Sequence, residues 1–280
     1  MPGGRGVVTS AAPAILLNGA AVADPAALRA LAQVNYGHFT SLLVRGGAAR
    51  GLGLHLARLA QGTAALFDTR VDEAAVRGWM REAARAAGGD GSMRVTVFSR
   101  DFDHRRPLQR VGLDVLVAVS ALPPAPRPLR VQLRPFLRPV PELKHVGTFP
   151  LFHHRRQALM AGYDDALFVD GEGAAARVAE GSVWNIGFWD GLQVVWPQAP
   201  ALRGTTERLL QAGLAATAVG QVVRPVAVSE LGGFQAAFAA NAHGLQPIRA
   251  IEGVGYSADA HAGLGRLLQA ALDQAPWEPL

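Results

Sequence analysis

The chain has 280 residues, half of them apolar and 18% charged, enough to bury one large core or two moderate ones. It has no cysteine, which excludes disulfides and thiolate chemistry and fits a reducing, cytoplasmic location. The net charge of +5 rests on arginines scattered among acids and apolar residues, with no aromatic-interleaved basic stripe, so no nucleic-acid partner is expected.

Residues 1–12 are rich in glycine and other small residues and read as a flexible N-terminus without the apolar stretch of a signal peptide. Ala14 to Asn18 is apolar and turns at Asn18-Gly19, a hairpin signal. Phe39 to Arg45 reads as a strand turning at Gly46-Gly47, and Leu52 to Phe67 has helical spacing. A second helix opens at Val71-Asp72-Glu73, with acids in its first turn, and ends at Gly88 to Gly91. Met93 to Ser99 and Leu113 to Val119 read as strands around the polar loop Arg100 to Arg110. The apolar run near Val111 to Leu122 is broken by Asp114, and no run reaches the roughly 18 residues of a membrane span, so no membrane is expected. After prolines at 123, 124, 126 and 128, Leu129 to Phe136 is another strand.

Pro135, Pro139 and Pro141 mark a linker, and Gly147 to Ala161 reads as helical. Short strands follow at Asp165 to Asp170, Asn185 to Trp189 and Val194 to Trp196, then a helix over Thr205 to Thr217 and a strand over Val222 to Val228. A helix and strand near Ser229 to Ala240 and a helix over Ala260 to Leu272 complete the series. Several hairpins and no βαβ series predict an α+β fold of two domains. The expected division is an N-terminal domain over 13–136, a linker over 137–146 and a C-terminal domain over 147–280.

Of the 27 cationic residues one is lysine, Lys144, and the remaining 26 are arginine. Composition alone is equally compatible with drift, yet only lysine has an amine that can lose its proton and attack a carbonyl. Lys144 lies at the interdomain linker, where burial in a cleft lowers an amine's pKa. Glu180 stands beside Gly181-Ser182 before an apolar strand. It reads either as a surface acid or as the carboxylate that keeps a pyridinium nitrogen protonated. Gly204-Thr205-Thr206 opens a helix, either as an ordinary threonine N-cap or as a phosphate-binding helix N-terminus. His55 and Arg58 share a helix face, where the guanidinium is either solvated or a bidentate phosphate ligand. No HExxH or cysteine ligand set occurs, so no metal is expected.

In order and spacing these features resemble the fold-type IV pyridoxal-phosphate enzymes, the class IV aminotransferase family. The resemblance runs from about residue 14 to residue 255. It rests on Tyr36-Gly37-His38-Phe39-Thr40, the HxxRL helix His55 to Leu59, Lys144, the EGSxxN segment Glu180 to Asn185, Gly204-Thr205-Thr206, and Ala240 to Ile248. It implies the family's two-domain fold, a smaller N-terminal α/β domain and a larger C-terminal domain with a mixed, barrel-like sheet. It also implies pyridoxal 5'-phosphate as cofactor, with Lys144 as Schiff-base lysine and Glu180 facing the ring nitrogen. Arg58, Thr205 and Thr206 would hold the phosphate, with Asn185, Gly204, Asn241 and Ala242 lining the cofactor. Arg105 would bind a substrate carboxylate, often across a homodimer interface, with His104, Arg106, Tyr36 and His38 as further substrate-side residues.

Within the family, Phe39-Thr40, Lys144-His145 and Asn241-Ala242 are most similar to the aminodeoxychorismate lyases. Phe149, where the branched-chain transaminases have tyrosine, argues against that branch. Gly147, Tyr36 and Thr205-Thr206-Glu207 depart from the lyase pattern and bear on the substrate more than on the cofactor. The resemblance therefore implies a 4-amino-4-deoxychorismate lyase, with Thr40 placing a proton or water and a small amino compound as substrate. The alternatives are a transaminase with a keto acid acceptor and a catalytically silent binding protein of the same fold.

Overall fold

The computed structural model describes residues 14–22 and 25–280; the expected flexible segment 1–12 lies outside them. The first half runs β1 (Ala14–Leu17), β2 (Ala20–Ala21), α1 (Ala26–Val34), β3 (Gly37–Val44), β4 (Ala48–Arg50), α2 (Leu52–Phe67), α3 (Glu73–Ala86), β5 (Gly91–Phe98) and β6 (Asp114–Ser120). The second half begins with β7 (Leu129–Pro135), α4 (Phe149–Met160), β8 (Asp165–Asp170), β9 (Arg177–Gly181), β10 (Asn185–Trp189) and β11 (Gln193–Pro197). It continues with α5 (Thr205–Ala215), β12 (Gly220–Arg224), β13 (Ala236–Asn241), β14 (Gly244–Ile251), β15 (Val254–Gly255), α6 (Ala258–Asp273) and β16 (Trp277–Pro279).

The first half forms a five-stranded antiparallel sheet in the order β2-β1-β6-β5-β3. The Asn18-Gly19 and Gly46-Gly47 turns both have positive φ at each residue, the conformation that tight hairpins require. Strand alternation sorts the residues. Leu42, Val44, Met93, Val95, Val97, Val115 and Val117 point to one face and pack against α2 and α3. Helix α2 meets them with Leu52, Leu56 and Leu59, a 4-3 spacing that makes one apolar stripe. Each leucine buried this way contributes roughly 1.5–3 kcal/mol. The opposite face carries Ile15, Ala118, Arg94 and Ser41 as direct cross-strand neighbours.

The second half is a nine-stranded mixed sheet, ordered β12-β11-β10-β13-β14-β7-β8-β9 with β15 on β14. One core fills one side of it around Val131, Leu167, Ile186, Phe188 and Ile248. A second lies under α5 and α6 around Trp196, Leu210, Phe238 and Leu268. The molecule is an α+β protein of two domains.

The sequence reading puts strand β7 in an N-terminal domain of 13–136, but it pairs with β14 and β8 in the second sheet. Its alternating Leu129, Val131 and Leu133 complete that sheet's core, so the chain changes sheets in the proline-rich stretch 121–128. Two isolated parallel crossovers occur, β7-α4-β8 and β11-α5-β12, but they form no continuous βαβ series, in keeping with the α+β class.

The segment after β7 then folds back onto the first sheet. Phe39 N–H donates to the Lys144 carbonyl at 2.9 Å and Val146 N–H to the Gly37 carbonyl at 3.0 Å. Residues 144–146 thus extend the open edge of β3, satisfying its backbone groups and seating Lys144 between the two halves.

Candidate active site

Between the two halves lies a cavity of about 470 Å³, within the range of small-molecule sites. The first sheet supplies Phe39, Ser41, Ser92 and Arg94; α2 supplies His55 and Arg58; α4 supplies Phe152 and Arg155. Lys144, Arg138, Glu180, Asn185, Gly204, Thr205, Asn241 and Ala242 also line it.

Lys144 extends its ammonium nitrogen over the Phe39 ring, 5.0 Å from the centroid. It makes no ion pair among the described residues. Burial, and then Arg58 and Arg138, push its pKa down to about 7, against a smaller opposing pull from Glu180. Near neutral pH a large share of the amine is therefore unprotonated and nucleophilic.

Glu180, on β9, is fully engaged by Arg138. Nε donates to one carboxylate oxygen at 2.9 Å and Nη2 to the other at 3.3 Å. Both side chains are almost wholly buried, 3% and 4% exposed. A carboxylate has about four acceptor sites, so one further N–H in the cavity can still be bound. The sequence reading does not single out Arg138. One arginine among 26 carries no local signal, and its position in the linker six residues before Lys144 is the one hint.

At the other end, α5 begins at the cavity wall with Gly204 as its cap residue and no side-chain cap. Helix N-termini leave backbone N–H groups unpaired and carry positive dipole charge. The Thr205 hydroxyl is buried without a partner, which is costly unless an acceptor arrives. Arg58 stands beside it, its Nη2 donating to the Arg203 carbonyl at 2.9 Å. Burial, then Arg208 and Arg138, lower its pKa to about 10, so it stays cationic. The orphaned hydroxyl, the free helix end and the guanidinium together fit an anionic group such as phosphate.

Gly204 is required by a close approach. A Cβ there would lie 2.1 Å from the Asn185 side-chain oxygen, and Asn185 meanwhile donates to the Leu202 carbonyl at 2.6 Å. Gly204→Ala is expected to break that hydrogen bond and displace the turn. The expected cost is about 1–3 kcal/mol of stability, with weaker binding of phosphate-bearing ligands, measured by thermal melting and ligand titration. Thr206 does not face the main cavity; its hydroxyl donates to the Asn241 carbonyl at 2.6 Å and ties α5 to the β13–β14 turn.

Besides Thr206, other expected site residues stand apart from this cavity. Thr40 and His38 share the β3 face turned toward α2, opposite Phe39 and Ser41. Thr40 Oγ is 2.6 Å from His55 Nδ1, and His38 Nε2 is 3.0 Å from the Thr63 hydroxyl. Burial, then Arg58 and Lys144, hold the His55 pKa down at about 3, so the ring is neutral and Thr40 reaches the cavity through it. Tyr36 stacks on Phe102 at 4.0 Å and donates to the Leu66 carbonyl. His104 and Arg105 are exposed on the loop after β5 and line no part of their own chain's cavity. Sequence reasoning also misses Arg94, whose guanidinium sits 3.5 Å above the Phe39 ring. The available signal is Ser92, Arg94 and Thr96, the polar half of an alternating strand.

The sequence matches the family model described as amino-transferase class IV over residues 37–251. No curated protein matches the chain. Solved structures of similar fold include a 4-amino-4-deoxychorismate lyase from Pseudomonas aeruginosa, 24% identical, TM-score 0.75, covering 93% of this chain and 97% of that one. A T.th. branched-chain amino acid aminotransferase, complexed with N-(5'-phosphopyridoxyl)-L-glutamate, is 18% identical, TM-score 0.79, covering 94% and 95%. A hypothetical aminotransferase from Mycobacterium tuberculosis in its PLP-bound form is 19% identical, TM-score 0.75, covering 94% and 99%.

Proposed function

Because the chain belongs to the class IV aminotransferase family, we propose that it is a 4-amino-4-deoxychorismate lyase, releasing pyruvate and 4-aminobenzoate. It is a pyridoxal-phosphate-dependent enzyme. Bound in the cavity, the cofactor supplies an aldehyde for an amine and a ring that takes up negative charge.

The chain's own groups divide the remaining work. Arg58, Thr205 and the N-terminus of α5 hold the phosphate, supported by the orphaned threonine hydroxyl. Glu180 receives the ring nitrogen, braced by Arg138. Lys144 would hold the aldehyde carbon through its amine, and as a free amine would take the proton from the amine-bearing carbon of the substrate. For the lyase reaction the ring C–O bond then breaks with its electron pair on oxygen. The ring becomes aromatic and the enol of pyruvate gains a proton on its methylene carbon.

One observation carries the lyase reading. With these groups assigned, the cavity retains two guanidinium groups from opposite halves, Arg94 over the Phe39 ring and Arg155, which also pairs with Asp165 at 3.6 Å, beside the apolar Ile15, Phe152 and Trp184. That lining suits a substrate with one carboxylate on its ring and a second on the ether-linked side chain that leaves as pyruvate. The transaminase reading is favoured by a different observation: Thr40, the lyase-like residue, faces His55 and not the cavity. Incubating the enzyme with 4-amino-4-deoxychorismate, beside D- and L-amino acids with a keto acid, separates the two. Formation of 4-aminobenzoate with pyruvate supports the lyase; amine transfer without aminobenzoate defeats it. The reading includes a homodimer in the cytoplasm, in which the exposed His104 and Arg105 reach the partner's cavity.

A further inference from the structure

The last residues of the chain cross back from the second half to the first. Strand β16 pairs antiparallel with β4, matching Trp277 to Arg50, Glu278 to Ala49 and Pro279 to Ala48. Leu280 N–H donates to the Gly47 carbonyl at 3.1 Å, and its side chain is buried in the core beneath α2 and α3. Arg81 donates to the Leu280 main-chain oxygen at 2.7 Å and Arg77 to that of Pro279 at 3.0 Å.

The consequence for the site lies at Leu52. Helix α2 starts after Gly51, in the left-handed region, with no side-chain cap from its own cap residue and no acid in its first turn. Its need for a negative cap is met from 226 residues away: the Leu52 N–H donates to Glu278 Oε1 at 3.0 Å. This helix carries His55 and Arg58 into the cofactor cavity. Behind them is a second cavity of about 170 Å³ that touches His55, Thr205, Ala242 and His243 from the rear and is walled by Trp277 and Leu272. Trp277 in turn lies 5.1 Å from Arg50, which is paired with Asp273 at 2.6 Å.

We propose that segment 277–280 is a positioning clamp for the phosphate end of the cofactor site. Glu278 caps α2 and Trp277 closes the space behind the phosphate turn, so that Arg58 and His55 keep their places. This rests on the reading that Arg58 and Thr205 hold the cofactor phosphate. Neither Trp277 nor Glu278 lines the main cavity, so the clamp acts only through the α2 residues and the phosphate turn it supports.

The test compares binding of pyridoxal phosphate and of phosphate-free pyridoxal to wild type, Glu278→Ala and Glu278→Gln. Glu278→Ala is expected to weaken the phosphate form about tenfold, the scale of a lost cap, and to leave pyridoxal unchanged. Glu278→Gln, which keeps an acceptor oxygen, retains most of the affinity. A folded Glu278→Ala protein with unchanged selectivity, or with both ligands weakened alike, overturns the clamp alone. A wild type that does not prefer the phosphate form overturns the phosphate reading and the clamp with it. Hydrogen exchange on the wild type decides the matter without any variant. Slow exchange at the Leu52 amide supports the cap, and exchange at the rate of a frayed helix end refutes it.

Discussion

Lys144→Ala is expected to abolish covalent attachment of the cofactor and to cut turnover by at least about 10²–10⁴-fold, the range of one positioned proton-transfer group. Lys144→Arg should do no better, because guanidinium cannot give up its proton to become a nucleophile. The fold should survive both changes. The ammonium is poorly solvated and stands among Arg58, Arg138 and Arg94, so alanine removes a repelled charge and the melting temperature should hold or rise. The pH dependence follows from the same surroundings. The folded protein releases this proton at about 7 where an ordinary lysine holds it to 10.5. Below pH 7 the amine is protonated, and cofactor attachment should fall about tenfold per unit. Between about 7 and 10.5 the unfolded chain binds the extra proton, so the cofactor-free protein gains stability as pH rises.

Arg138→Leu should have the largest effect on stability. It strips Glu180 of both its hydrogen bonds in a site where the two side chains are 3% and 4% exposed. Leaving one partner of a buried pair uncompensated costs about 3–5 kcal/mol, which lowers the melting temperature by roughly 10 °C. Arg138→Leu combined with Glu180→Gln should recover most of that loss, because the stranded charge is gone. It should not recover activity, since the acid proposed to face the ring nitrogen is gone too. Equal melting temperatures for the single and double variants would mean that the pair is not what the second domain depends on there.

How far the sequence leads is clearest at individual residues. Helix α2 is legible from 52 to 67 because its apolar residues, Leu54, Ala57, Leu59 and Ala60 among them, recur at helical spacing. Lys144, Arg58, Glu180, Gly204, Thr205 and Asn241 are far apart in the chain, yet all line one cavity. Their residue types are those the chemistry demands, which is why they can be picked out. Thr40, His38 and Tyr36 mislead for a reason of strand geometry. Strand β3 is covered on both faces, by α2 on one side and the cavity on the other. Its sequence therefore lacks the polar alternation that would tell which face holds which neighbour. Arg138 and Arg94 are hidden by abundance, since in an arginine-rich chain burial alone separates a site arginine from a solvated one. Helix α1 escapes notice because it is only nine residues long, and strand β14 because Pro247 in its middle argues against a strand interior.

The most direct measurement is chemical trapping. The purified protein is mixed with pyridoxal phosphate, reduced with borohydride, digested and mapped by mass spectrometry. The expected result is one pyridoxyl-modified peptide, containing Lys144, whose yield declines as the pH of incubation drops below about 7. Cofactor bound tightly with Lys144 unmodified would contradict the assignment at its root.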